Sequence, residues 1–112
     1  MPHDPEKYLH DMLDSCEFLL EFTTGRTVRD FINDRGFRSA VERELQIIGE
    51  ALLQLDRVAP AIADKVPEKR DIIGFRHVLV HGYDSLKPAT VWNVIEVKLP
   101  VLRRELQALL HA

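Results

Sequence analysis

The sequence predicts an all-α fold, an antiparallel four-helix-type bundle with short extra helices, and three observations carry that prediction. Apolar residues recur at three- and four-residue intervals over long stretches, which places them on one face of a 3.6-residue helix. Helix start and stop residues punctuate those stretches where a bundle needs them. No segment shows sustained period-two alternation between hairpin turns, and there is no internal repeat or low-complexity tract. At 112 residues, 46% hydrophobic and 29% charged, the chain fits one globular domain, residues 1–112, built around a single core.

Each element has a local reason. Asp4, Pro5 and Glu6 combine a capping acceptor, a first-turn proline and an acid near the positive helix end. The helix they start runs to about Thr24, with Leu9, Met12, Leu13, Cys16, Leu19, Leu20 and Phe22 as its apolar stripe, and Gly25 ends it. Thr27 caps a short helix over "VRDFIND". A long helix follows from about Arg35 to Asp56, traced by Phe37, Ala40, Val41, Leu45, Ile48, Ala51, Leu52 and Leu55. Pro60 and Pro67 leave room for one short turn. The third main helix spans about Glu68 to Val80, with Arg76 beside its apolar seam and Gly82 as terminator. The fourth covers about Ala89 to Leu110, with Val91, Ile95, Leu99, Leu102, Leu106 and Leu109 inward. Pro100 inside it removes a backbone donor and predicts a kink or break.

Composition narrows the function classes. A net charge of -3 excludes a protein that coats nucleic acid through overall charge, though not a local site. Lys65, Lys69, Arg70, Arg76 and Lys87 cluster in the second half, where a solvated basic face is the simplest reading. The polar, acid-containing "MPHDPEKY" matches neither a signal nor a transit peptide, and no apolar run is long enough to span a bilayer. The expectation is a cytoplasmic protein without a membrane association. The single cysteine, Cys16, makes no internal disulfide and reads as a small core residue.

The chemistry-bearing stretch is "GFRHVLVHGYDSLKP", Gly74 to Pro88. A permanently charged guanidinium and an imidazole titrating near neutrality are the minimum for metal-free RNA cleavage, in which the ribose 2′-hydroxyl attacks its own phosphate. Arg76 and His81 lie five residues apart, about 140° around a regular helix, so they share a face only if the helix unwinds near His81. Gly82 permits that by its freedom to take left-handed dihedrals. If the helix persists, His77 and His81 share a face instead. That pair could ligate a metal, but no third ligand stands nearby at a motif spacing. A purely structural reading competes with both: a histidine beside a terminal glycine meets helix-end carbonyls, and an arginine at a seam edge snorkels.

"RHVLVHGY" resembles the Arg-x4-His-x-Tyr motif of HepT-like toxins in the HEPN superfamily. "RSAVERELQIIGEAL" resembles that family's second-helix signature, "IIGFRHVLVHGY" its third and "VWNVIEVKLPVLRREL" its proline-bearing last helix, in the right order over most of the chain. The resemblance implies a HEPN-like helical homodimer whose two motif copies face one cleft. It implies a metal-independent endoribonuclease without a cofactor, with tRNA one class of target, paired with a nucleotidyltransferase antitoxin. In that frame Arg76 binds the scissile phosphate, His81 is the general acid or base, His77 orients or assists, and Tyr83 is the tyrosine the antitoxin modifies with AMP. Glu50 in "IIGEA" could orient His81 or Arg76, or lie on the solvated side. The alternative is a non-catalytic helical module that binds a nucleotidyltransferase. His3, His10 and His111 are assigned to the surface, and Trp92 to the core or a dimer contact.

Overall fold

The computed structural model describes residues 4–82 and 86–111, and these form helices with no strand among them. In chain order they are α1 (Pro5–Phe22), α2 (Val28–Asn33), α3 (Arg35–Val58), α4 (Pro60–Ala63), α5 (Lys69–His81), α6 (Pro88–Asn93), a π-helical turn (Val94–Lys98) and α7 (Leu99–Leu110). The all-α expectation therefore holds among the described residues, with α3 as the central helix. α1 packs along one side of α3 and α5 along another, while α7 lies against α1.

The caps act as their side chains dictate. Asp4 Oδ1 accepts from the Glu6 amide at 2.9 Å. Gly25, at φ 75°, supplies the left-handed residue that turns the chain after α1. Thr27 and Asp30 form a reciprocal capping box at the start of α2. Asp34 closes α2 and opens α3, its side chain accepting from the Phe37 amide at 3.0 Å. That bond, with the charge of Arg26 nearby, holds the Asp34 carboxyl below the usual carboxylate range.

The core joins Met12, Cys16 and Leu19 of α1 to Val41, Leu52 and Leu55 of α3 and to Leu99, Leu102 and Leu106 of α7. Trp92 is buried, and its ring lies 6.0 Å from that of Phe31 and 6.1 Å from that of Phe37. Phe22, expected inward, is instead 38% exposed, because it sits at the rim where it stacks between Phe18 and Phe37 at 5.0 and 5.2 Å. His10 and His111 are exposed, as expected, and His3 lies outside the described residues. No helix among the described residues is long and apolar enough to cross a membrane.

Pro100 does not break the last helix. It occupies the first turn of α7, where a missing N–H is harmless, and the strain is taken up just upstream. There the Leu99 amide bonds back to the Val94 carbonyl, an i→i+5 turn that keeps the chain helical through the proline.

Burial pushes the Cys16 thiol up to about 12. A thiol of that kind stays protonated and unreactive at pH 8. The native protein should therefore resist Ellman's reagent at pH 8 and release one equivalent of thiolate only after unfolding in guanidinium, which a stopped-flow absorbance trace would measure.

Candidate active site

α5 carries the motif residues, and two contacts with α3 fix its position. At its N-terminal end Lys69 donates to Asp56 of α3 at 2.9 Å and to Asp64 after α4. These carboxylates also raise the affinity of the Lys69 amine for its proton, Asp64 first and Asp56 next. Two turns further on, the stem of Arg76 lies directly over Gly49. A Cβ built on Gly49 would sit 2.2 Å from Arg76 Cβ and 2.7 Å from its Cγ, well inside nonbonded contact distance. The absence of a side chain at position 49 is what lets the two helices meet here.

Arg76 is thus held by packing rather than by charge. Its stem is half-buried, and its Nε is buried without an acceptor among the described residues, an unmet donor of the kind that costs about 1–3 kcal/mol. Neighbouring cations are engaged elsewhere: Lys69 as above, Lys98 with Glu68 at 3.1 Å, and Arg43 with Glu50 at 3.4 Å. Arg76 has no ion pair among the described residues. Glu50 forms its ion pair along its own helix, and none joins it to Arg76 or His81 among the described residues.

The helix does not loosen at its end. α5 continues through His81, and the Gly82 amide bonds to the Val78 carbonyl at 2.8 Å. Gly82 takes φ -130°, outside the left-handed region, so the unwinding that would have joined Arg76 and His81 on one face is absent. The reason is that the helical bond to Val78 is satisfied without a reversal of the chain. Arg76 instead points its stem at α3, while His77 and His81 stand exposed on a different sector, their ring centroids 4.8 Å apart and the rings inclined by 52°. The opposite side of α5 faces an apolar cavity of about 170 Å³ lined by Ile72 and Phe75 with Leu45, Ile48, Leu99 and Leu102. Tyr83 lies outside the described residues.

Gly49 was not singled out from the sequence as a site residue. Its signal was available: a glycine inside an otherwise strong helix costs roughly 0.5–1 kcal/mol relative to alanine and so marks a packing need. The same reasoning gives a test with a sign. In an open helix Gly49→Ala should stabilise, but here it should destabilise by roughly 1–3 kcal/mol, the usual range for overpacking. Urea titration followed by far-UV circular dichroism measures the difference, and a more stable variant would refute the contact.

One family model and three relatives bear on this chain. The family model described as Ribonuclease HepT-like matches residues 12–109. A protein of Caldanaerobacter subterraneus subsp. tengcongensis, named as a candidate RNase, is 35% identical over 107 residues, covering 96% of this chain and 95% of the relative. A similarly named protein of Methanocaldococcus jannaschii is 31% identical over 104 residues, covering 93% and 94%. "Probable ribonuclease HepT" of Thermococcus cleftensis is 28% identical over 109 residues, covering 97% and 98%. No solved structure matches the chain significantly. With α5 and its flanking helices inside a match that takes in most of the sequence, the chain belongs to the ribonuclease HepT-like family.

Proposed function

We propose that this chain is a metal-independent endoribonuclease, the toxin of a toxin–antitoxin pair. The observation that carries the reading is an arginine seated by its stem, with no ion pair among the described residues, on the same helix as two exposed imidazoles. The guanidinium meets a phosphate and the extra negative charge of its pentacoordinate state. One imidazole takes the proton of the ribose 2′-hydroxyl as that oxygen attacks the adjacent phosphorus. A protonated imidazole then supplies a proton to the departing 5′-oxygen, leaving a 2′,3′-cyclic phosphate and a 5′-hydroxyl end. His81 is assigned the acid–base role and His77 the assisting one. Single-stranded RNA is the substrate class, with tRNA the expected source, and DNA is resistant for want of the 2′-hydroxyl.

The continuous helix supports a homodimer. Because Arg76 and His81 diverge on one chain, a cleft holding both types side by side is best built from two copies of α5 across a two-fold axis. Such a cleft also concentrates positive charge that the chain, at a net -3, lacks as a whole. A nucleotidyltransferase antitoxin that attaches AMP to Tyr83 would silence this cleft by bulk and by repulsion of RNA.

The reading predicts RNA cleavage by the purified protein in excess EDTA. Arg76→Ala and His81→Ala should each lower the rate by about 10²- to 10⁴-fold, the usual worth of such groups, with circular dichroism unchanged. A fully 2′-deoxy oligonucleotide of the same sequence should survive. RNA inertness of the wild type, together with tight binding of a nucleotidyltransferase, would instead favour a non-catalytic binding module. Intact mass after incubation with that partner and ATP reports on Tyr83, where an unchanged mass counts against the modification.

A further inference from the structure

We propose that His77 and His81 form a binding site for a borderline divalent transition-metal cation, of the Zn²⁺, Cu²⁺ or Ni²⁺ class, and that occupancy switches the site off. The inhibitory part rests on the ribonuclease reading above; the site itself does not.

The ring separation fits a chelate. With metal–nitrogen bonds of ~2.1 Å, ring centroids ~1.1 Å beyond the donor nitrogens and an angle at the metal of about 90–109°, two imidazoles sharing one ion have centroids roughly 4.5–5.2 Å apart. The His77 and His81 centroids are 4.8 Å apart. This separation follows from the persistence of α5 through His81, which stacks residues four apart on one face. Both side chains are exposed, so solvent fills the remaining coordination positions and no core group moves. His81 is also the last residue of α5, where the helix dipole favours a cation. Imidazole donors select the borderline metals over Mg²⁺ and Ca²⁺, which require oxygen ligands. No group of three or more His, Cys, Asp or Glu side chains among the described residues is placed to hold a metal ion. The site is thus a two-ligand chelate of modest affinity, suited to regulation rather than to a resident cofactor.

Its consequence for chemistry is direct. A bound metal occupies the imidazole lone pairs that would accept the 2′-hydroxyl proton, and it cannot hand a proton to the leaving oxygen. An enzyme that needs no metal would in this way be stopped by one.

Isothermal titration of the full chain with ZnCl₂ decides the site. Wild type should bind in the micromolar range, and His77→Ala and His81→Ala, both folded by circular dichroism, should each bind at least tenfold more weakly. MgCl₂ should give no heat of binding. Equal Zn²⁺ affinity in wild type and both variants, or none in wild type, overturns the site. Cleavage of RNA by wild type should then fall at least tenfold over the Zn²⁺ range that saturates the titration, and return with EDTA. Undiminished cleavage at saturating Zn²⁺ overturns the inhibitory role while leaving the site intact. Zn²⁺ binding without any RNA cleavage in metal-free buffer refutes the ribonuclease reading, and the inhibitory role with it, but not the chelate.

Discussion

The arrangement of the motif depends on one close approach, the seating of the Arg76 stem over Gly49. α5 leans chiefly on α3 through one buried residue, Leu79, and the half-buried Ile72, Ile73 and Phe75. A glycine in the facing helix converts a side-by-side contact into an interlocked one. The contact also fixes the rotation of α5 about its own axis. Once Arg76 faces α3, the 3.6-residue repeat sends His77 and His81 outward and Ile72 and Phe75 toward the apolar cavity.

Electrostatics completes that frame. The Lys69 bridge to Asp56 and Asp64 ties the start of α5 to α3 and to the α4 connection, while Lys98 and Glu68 tie it toward the last helix. Exposed ion pairs of this sort contribute little stability singly. Their larger effect is on the field around the motif. Of the basic cluster read from the sequence, Lys69 is neutralised by Asp56 and Asp64, while Arg76 has no ion pair among the described residues.

Most of the fold was legible because periodicity and caps are local. Thr27 with Asp30, Asp4 with Pro5, and the stripe from Phe37 to Leu55 each act within a few residues of their own position. What escaped sequence reasoning was decided between elements or by competing local terms. Gly82 satisfies α5 with an ordinary helical bond, although its residue type equally allowed a chain reversal. The carboxylate of Glu50 pairs with Arg43, two turns back on its own helix. Gly49 could be recognised as unusual in a helix, but its partner lies 27 positions away in the chain, and only the α3–α5 packing reveals it. At the candidate site, residue types were readable and their relative directions were not.

The π turn before Pro100 has a consequence for chain length. Val91 and Leu99 are both buried, yet eight residues of regular α-helix would leave them about 80° out of line. The widened turn at Val94–Lys98 winds less per residue and absorbs that excess, so the apolar rows before and after it look into the same core. This segment therefore works as a phase corrector, equivalent to one surplus residue folded into a helix. Its side chains, several of them exposed, are open to drift, whereas its residue count is not: losing or gaining one would rotate every leucine of α7 away from α1.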